Sequence, residues 1–284
     1  MTDKIAMTQS DPVSLRAARW LMAEHDARKT FAPLAGEQIP SSMSAAYDVQ
    51  DQLVALRSAA WNAKRIGYKI ALTTPQMRKF VGYEDSIAGQ VLSHWRGEAG
   101  IHASPARVRK SDYGHLLFEC ELAFLMGEDL PLNAAPPSRD DVARCIEAVC
   151  PAFELADDRN ADYTRFGKAG DATLVTLAAD NAWNCGVVLG EWRRNWRDLD
   201  LAAVTGIATI NGEKVGEGAG RDVMGHPLDA MHWIARHLHA RGHTLKRGEF
   251  VITGSLITSK FPNAGDAVRF DVAGVGAVSL NIVP

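Results

Sequence analysis

The sequence predicts an α+β fold in which a helical N-terminal portion precedes a longer β-rich portion. Two patterns indicate this arrangement. Over roughly the first 60 residues apolar side chains recur at steps of three and four, whereas from Ile66 onward short runs rich in Val, Ile, Thr and Phe are separated by Gly, Pro and Asp. The chain has no internal repeat at solenoid or propeller periods. We therefore expect a helical portion over 1–65 and a β-rich domain over 66–284.

Four helices are predicted from capping residues and from apolar side chains at helical spacing. Two lie in the N-terminal portion and two interrupt the strands: Asp11–Ala27, a helix with the stripe Ala46, Val49, Leu53, Leu56 and Ala60, then Arg139–Val149 and Leu228–Ala240. Asp11 and Ser138 are the predicted N-caps, and a proline opens the last helix.

Strands are predicted where short apolar runs are bounded by turn residues. The predicted strands are Ile66–Leu72, Leu116–Met126, Ala152–Ala156, Asn184–Leu189, Val204–Ile210, Glu213–Gly216, Phe250–Thr253, Ala267–Val272 and Ala277–Ile282. Asn211 and Gly212 between two of these runs form a strong hairpin signal.

Composition excludes several classes of protein. The 284 residues are 46% hydrophobic and have a net charge of -3 without long runs of one sign, which argues against a nucleic-acid partner. No apolar stretch approaches the roughly 18–20 residues that span a bilayer, and 1–10 lack the apolar core of a signal peptide, so we expect a cytoplasmic protein without membrane contact. The four cysteines show no CxxC spacing and are expected to be buried thiols.

Two glutamates in the strand Leu116–Met126 are the first candidate for chemistry. Strand alternation places Glu119 and Glu121 on one face, about 7 Å apart along the strand, and sends Cys120 to the other. Two ionised carboxylates in an apolar segment repel each other and lose hydration unless a cation joins them. Oxygen ligands suit a hard ion such as Mg²⁺ or Mn²⁺. An edge strand with a solvated glutamate face is the alternative.

A third carboxylate, Glu154, lies in the short apolar run PAFEL and could join the first two around one ion. Asp157 and Asp158 follow it directly, but their position beside Arg159 favours a solvated turn or an ion pair over metal ligation.

Lys69 is the candidate for proton transfer because it lies in the middle of the apolar run IGYKIAL. Desolvation lowers the pKa of a lysine and enables it to exchange protons near neutral pH, as acid–base catalysis of enol chemistry requires. A lysine on an edge strand that reaches solvent is the alternative.

Six segments occur in order along the chain: GYKIALT, FECELAF, PAFEL, LAADNAWNCGVVLG, MGHPLDA, and ITGSL with NAGD. Together they resemble the 2-keto-4-pentenoate hydratase and 4-oxalocrotonate decarboxylase family, within the fumarylacetoacetate hydrolase superfamily. The resemblance extends from about Ala17 to the C-terminus.

The resemblance implies a mixed β-roll core, one Mg²⁺ or Mn²⁺ ion, and a homo-oligomer that acts on a small-molecule 2-oxoacid. It also implies roles for individual residues: metal ligation by Glu119, Glu121 and Glu154, catalysis by Lys69, and substrate contacts by Asn181, Thr253 and Gly254. Association with a homologous lyase is a further expectation, since members of the family can associate.

The implied activity is metal-dependent lyase chemistry on 2-hydroxy-2,4-dienoates or 2-oxo-enoic acids, with hydration as the leading hypothesis. Decarboxylation is the close alternative because Ile87 stands where hydratases of the family typically carry an aspartate, and water addition is harder to explain without that carboxylate. An acylpyruvate-type C–C hydrolase and an inactive partner of a homologue are the remaining hypotheses.

Overall fold

The computed structural model describes residues 11–96 and 98–284. Its helices are α1 (Val13–Asp26), α2 (Met43–Trp61), α3 (Pro75–Val81), α4 (Arg139–Cys145), α5 (Thr173–Ala179) and α6 (Pro227–Ala240). None of the helices in these ranges has the length and apolar character needed to cross a bilayer.

The strands form two large sheets and one small hairpin within the described ranges. Their bounds are β1 (Arg65–Ala71), β2 (Ile87–Leu92), β3 (His94–Trp95), β4 (Glu98–Ala99), β5 (Ile101–Ala103), β6 (Ala106–Arg109), β7 (Leu116–Met126), β8 (Ile146–Asp157), β9 (Asn184–Leu189), β10 (Thr205–Ile210), β11 (Glu213–Ala219), β12 (Phe250–Ile252), β13 (Ile257–Lys260), β14 (Ala267–Val272) and β15 (Gly276–Val283).

The first sheet has the order β2-β1-β12-β7-β8-β9-β5, with β13 also paired to β7. It mixes parallel pairs, such as β1 with β12, and antiparallel pairs, such as β7 with β8. Its strands β2 and β9 are far apart in the order yet lie in contact, so the sheet curls on itself. The predicted α+β class with a mixed β-roll core is thus confirmed.

The second sheet, in the order β11-β10-β14-β15-β6, packs against the back of the first. Phe153 of β8 lies between the two sheets, with its ring 5.3 Å from that of Phe118 and 6.3 Å from that of Phe270. All three rings are essentially buried. This apolar layer fixes one face of β7 and β8 and leaves their other face for the roll interior.

The N-terminal helices pack onto the roll. Helix α1 packs on α2, and α2 packs on α5. One apolar cluster joins side chains from both predicted portions, including Leu21 and Leu53 from the helices and Ile87, Leu117 and Phe166 from beyond residue 66. The N-terminal helices therefore share a core with the β-rich part, and the domain boundary between residues 65 and 66 stays a prediction from the sequence.

Several element boundaries differ from those that the sequence predicts. The helix predicted over Arg139–Val149 ends at Cys145, because Ile146 onward continues as β8, paired on both sides with β7 and β9. Pro12, not Asp11, occupies the N-cap position of α1, and Asp11 forms an ion pair with Arg19. Helices α3 and α5 are too short for a clear periodic signal and were not predicted. The four cysteines are free and buried, as expected.

Candidate metal centre and active site

Three glutamates converge in the roll interior on the neighbouring strands β7 and β8. Glu119 and Glu154 are direct partners across the antiparallel pair, and Glu121 follows two residues along β7 on the same face. One carboxylate oxygen from each of the three lies within 4.8 Å of the other two. Glu121 and Glu154 are fully buried, whereas Glu119 is half-buried. A solvated glutamate face is therefore excluded.

Apart from Lys69, each carboxylate accepts a hydrogen bond from one neighbouring group. The Ser259 hydroxyl donates to Glu119 Oε1, the Gly254 N–H donates to Glu121 Oε2 at 2.6 Å, and the Asn184 amide donates to Glu154 Oε1 at 2.9 Å. Glu121 Oε1 is buried and has no hydrogen-bond partner in the described part of the chain. An unpartnered buried carboxylate oxygen is costly, and a cation would compensate it.

Electrostatics also favours a cation at this position. Burial, together with the charges of Glu154 and Glu119, holds the pKa of Glu121 well above its usual value. Burial likewise raises the pKa of Glu154, against the opposing effect of Lys69. Three oxygen donors of this kind are the ligand set that Mg²⁺ and Mn²⁺ prefer. The donor set and its charge therefore fit a hard divalent cation.

Lys69 lies on β1 with only 3% of its surface exposed. Its Nζ lies 3.1 Å from Glu154 Oε2 and donates to the Ala182 carbonyl at 3.3 Å. Burial alone would lower the pKa of Lys69, but the charges of Glu154 and the other two glutamates raise it above its usual value. The predicted lowering of the Lys69 pKa is therefore wrong, and the ammonium form of this side chain is favoured.

Gly89 makes room for the Lys69 side chain. It is the direct partner of Lys69 across the β1–β2 pair. A Cβ atom at position 89 would lie 2.9 Å from Lys69 Cγ and 2.8 Å from the Asn181 carbonyl oxygen, closer than such contacts occur. A glycine is thus required where strand β2 meets the lysine, and sequence reasoning did not single it out.

The predicted substrate contacts lie close to the carboxylates. Gly254 has φ +99° and donates its N–H to Glu121, and a Cβ there would lie 2.3 Å from Thr73 Oγ1. Thr253 is fully buried, and its hydroxyl donates to the Leu122 carbonyl at 3.2 Å. The backbone around 253–254 therefore holds a metal-ligand candidate in place.

Asn181 is buried against β2, the strand next to the one that carries Lys69. Its Oδ1 accepts from the Gln90 N–H at 2.7 Å, and its Nδ2 donates to the Gln90 carbonyl at 2.8 Å. One N–H and one lone pair of this amide remain for a ligand. Asn181 begins a turn in which three successive residues that are not glycine, through Trp183, have φ values of 57°, 47° and 60°.

Asp180, directly before this turn, is the centre of a buried ionic cluster that sequence reasoning missed. Its Oδ1 lies 2.6 Å from His25 Nε2 and 3.4 Å from an Arg57 nitrogen, and its Oδ2 accepts from Arg159 at 2.8 Å. All four side chains are at least 96% buried. The signal that would have indicated it is Arg57, which lies four residues after Leu53 on the apolar stripe of α2.

Within this cluster Asp180 is ionised at neutral pH whereas His25 is neutral. Burial alone would raise the pKa of Asp180, but His25, Arg159 and Arg57 lower it to about 2. Burial, assisted by Arg57 and Arg159 and opposed by Asp180, lowers the pKa of His25 to about 4. At neutral pH an ionised Asp180 therefore accepts a hydrogen bond from the Nε2–H of a neutral His25.

Asp157 and Asp158 stand apart from the metal-ligand candidates, as predicted, but they are buried, so of the two expected settings, a solvated turn or an ion pair, the solvated turn is wrong. Asp157 accepts from the N–H groups of Gly114 and His115, both at 2.8 Å. Asp158 pairs with the His115 ring at 2.7 Å and accepts from the Tyr163 hydroxyl. The two aspartates order the chain that follows β8.

The protonation of His25 predicts a pH dependence of stability. In the unfolded chain His25 takes up a proton near pH 6.5, whereas the folded state resists it down to about pH 4. The unfolded state therefore binds more protons in this window, and the free energy of unfolding falls by up to about 3 kcal/mol as the pH decreases through it.

His25→Gln keeps a donor toward Asp180 but cannot titrate. We expect its unfolding free energy, measured by urea denaturation at pH 7.0, 5.5 and 4.5, to change less with pH than that of the unaltered protein. Equal slopes in the two proteins would contradict this.

Comparison with known proteins identifies the family. Residues 78–283 match the family model described as fumarylacetoacetate (FAA) hydrolase C-terminal. A 2-hydroxyhexa-2,4-dienoate hydratase of Comamonas testosteroni is 30% identical over 253 residues, covering 89% of this chain and 90% of that protein. A 4-oxalocrotonate decarboxylase of Pseudomonas sp. (strain CF600) is 30% identical over 240 residues, covering 84% of each.

A solved structure shares the fold over nearly the whole chain. The 4-oxalocrotonate decarboxylase from Pseudomonas putida G7, complexed with magnesium and adipate, superposes with a TM-score of 0.84 at 24% identity, covering 98% of this chain and 99% of that one. Lys69, His25 and Arg57 precede the segment matched by the family model, so the N-terminal region adds its own side chains to the interior. The protein is a member of the fumarylacetoacetate hydrolase family.

Proposed function

We propose that this protein is a divalent-metal-dependent lyase acting on 2-hydroxy-2,4-dienoates or 2-oxo-enoic acids, with water addition as its leading activity. The observation that carries the proposal is a buried lysine ammonium 3.1 Å from one of three clustered carboxylates. Relatives named as hydratases and decarboxylases support it, at 27–30% identity over most of the chain.

Glu119, Glu121 and Glu154 are the residues that would hold Mg²⁺ or Mn²⁺. The related decarboxylase structure contains magnesium, and a fumarylpyruvate hydrolase from Pseudomonas aeruginosa, at a TM-score of 0.57, is in complex with Mn²⁺ and pyruvate. A bound cation supplies positive charge to the carboxylate and 2-oxygen of a 2-oxo acid. The choice between the two ions follows from availability as much as from geometry.

Lys69 is the proposed catalytic acid and base. Ketonisation of a 2-hydroxy-2,4-dienoate needs a proton on carbon, and Lys69 Nζ carries one in a site from which water is largely excluded. The Ala182 carbonyl accepts one of its hydrogens and so orients the others. The enone formed then accepts water at C4 to give a 4-hydroxy-2-oxoacid. Asn181, Thr253 and Gly254 are proposed to contact the substrate beside it.

Decarboxylation is the second candidate, and Ile87 is the observation that favours it. Ile87 is fully buried and pairs with Ala71, so it shares the face of the sheet that carries Lys69. An isoleucine cannot orient water, whereas loss of CO₂ from a vinylogous β-keto acid requires no attacking water. Assembly into a homo-oligomer, or with a homologous lyase, stays a prediction.

The test is an ultraviolet and CO₂-coupled assay of the purified protein, with and without Mg²⁺, on 2-hydroxypenta-2,4-dienoate and 2-oxohex-3-enedioate. Metal-dependent consumption of the dienoate without CO₂ is the expected result. CO₂ release from the diacid alone would replace hydration by decarboxylation. If neither compound is consumed, the proposal fails for these substrates.

Replacing Lys69 separates proton transfer from metal binding. Lys69→Met keeps the length of the side chain and removes its charge, so we expect kcat to fall by about 10²-fold or more. Mg²⁺ affinity, measured by titration calorimetry, should be equal or tighter because a cation no longer competes for Glu154. The exposed Lys64→Met is the control. Retained turnover in Lys69→Met would remove Lys69 from the mechanism.

Replacing Glu121 tests the metal centre by two opposite effects. Glu121→Gln retains an acceptor for the Gly254 N–H but removes a buried charge that repels its neighbours. We expect a higher Tm than that of the unaltered protein when both are treated with a chelator, and a smaller rise in Tm when Mg²⁺ is added. Glu249→Gln, which removes a buried carboxylate paired with Arg65 outside the site, is the matched control. An unchanged response to Mg²⁺ would contradict the assignment of Glu121.

A further inference from the structure

We infer that Asp180 is a positioning residue for Lys69: its carboxylate ties helix α1, helix α2 and the Arg159 segment to the turn Asn181–Trp183, whose Ala182 carbonyl receives the Lys69 hydrogen bond. The inference rests on the proposed function, because it assigns Asp180 a part in the reaction that Lys69 carries out.

The turn has a conformation that the chain would not adopt alone. Asn181, Ala182 and Trp183 are all left-handed, with φ between 47° and 60°, and none is glycine. Asparagine tolerates this region, whereas alanine and tryptophan do not favour it. Such a run persists only where its surroundings determine it, and strained backbone of this kind concentrates at functional sites.

Contacts on both sides hold the turn against β2 and the helices. The Asn181 amide forms two hydrogen bonds with the Gln90 backbone, which fixes the start of the turn to β2. Gln50 of α2 donates to the carbonyls of Ala88 and Ala178, which ties α5 to the same strand. These bonds hold the start of the turn, and the Trp183 N–H closes the turn on the Asp180 carbonyl at 3.1 Å, so its direction depends on Asp180.

Asp180 supplies that direction. Its two oxygens receive bonds from His25 in α1, Arg57 in α2 and Arg159 after β8, so the carboxylate is restrained from three elements. Four ionisable side chains, each at least 96% buried, lose their hydration, and apolar side chains of equal volume would stabilise the fold as well. Stability alone therefore does not account for this cluster. Charged hydrogen bonds differ from apolar packing in that they fix orientation.

The turn then fixes the reacting group. Lys69 Nζ lies between Glu154 Oε2 at 3.1 Å and the Ala182 carbonyl at 3.3 Å. The Asn181 carbonyl oxygen and the Lys69 methylenes both lie within 3.0 Å of the position that a Cβ of Gly89 would take, so the turn packs beside the lysine side chain. The backbone of the three glutamates is held by β7 and β8, and within the described ranges only Glu154 has a side-chain partner, Asn184, next to the turn. Disturbing Asp180 should therefore affect proton transfer more than metal binding.

The test compares Asp180→Asn with Glu249→Gln, which also neutralises a buried carboxylate but lies outside the site. We expect kcat of Asp180→Asn to fall by about 10²-fold, as for a small displacement of a catalytic group, with KM and Mg²⁺ affinity changed by less than about threefold. Glu249→Gln should retain its kcat. If kcat of Asp180→Asn stays within about twofold of the unaltered protein, or falls no further than that of Glu249→Gln, the inference is overturned.

A second pair of variants covers the case in which Asp180→Asn fails to fold. His25→Gln keeps a donor toward Asp180, and His25→Leu removes it at similar volume. We expect native kcat in the first and a loss of about tenfold in the second, in line with one lost charge-assisted hydrogen bond. Equal kcat values in the two would overturn the inference.

Hydrogen–deuterium exchange separates this inference from the proposed function. Without any substrate, the peptide covering 180–186 should exchange faster in His25→Leu than in His25→Gln, while peptides from β7 and β8 stay protected. If the unaltered protein consumes neither test compound but this local change is seen, the proposed function fails and the restraint of the turn by Asp180 stands. Unchanged exchange over 180–186 overturns the restraint itself.

Discussion

The register between β7 and β8 is the constraint on which the rest of the site depends. It places Glu154 directly opposite Glu119 and leaves Glu121 on the same face. A slip of one residue would turn Glu154 into the layer between the two sheets, where Phe153 now packs against Phe118 and Phe270. The apolar residues of that layer therefore specify the position of the carboxylates on the other side, and the cluster of three glutamates is a consequence of core packing.

The interior of the roll carries charges that must be balanced from several parts of the chain. Lys69 from β1 lies opposite the three glutamates, whereas Arg57 and Arg159 carry the positive charges beside Asp180 and a neutral His25 donates a hydrogen bond to it. The N-terminal helices thus supply two of the partners of Asp180, His25 and Arg57, and these contacts join the helices to the β-rich portion.

Local patterns in the sequence carry information about one strand at a time, and they predict the parts of this site that lie on a single strand. The bounds of Leu116–Met126 and the shared face of Glu119 and Glu121 follow from alternation alone. The effect of those glutamates on the pKa of Lys69 does not follow from local patterns. The apolar neighbours of Lys69 are visible in the sequence, whereas the carboxylates lie on strands about 50 to 85 residues away. Sequence reasoning consequently gave the pKa shift of this lysine the wrong direction.

The Asp180 cluster was missed for the same reason. Its partners lie 155, 123 and 21 residues away along the chain, and none forms a recognisable motif with it. The end of helix Arg139–Cys145 also depends on contacts that are distant in the sequence. Nothing local stops a helix at Cys145, and the pairing of Ile146 onward with β7 decides the conformation there.

The same arrangement explains how one family contains relatives named for water addition and for loss of CO₂. Both reactions need charge neutralised at the 2-oxo acid and a proton moved to or from its enol form, and under the proposed function a cation held by the three carboxylates would meet the first need and Lys69 the second. What differs is whether a polar group directs water toward C4. In this chain the proposed function assigns that difference to strand β2, where Ile87 and Gly89 face the same side as Lys69. Gly89 leaves room for the lysine side chain and Ile87 adds an apolar side chain on the same face, so under the proposed function the choice of reaction would depend on one strand while the three carboxylates stay unchanged.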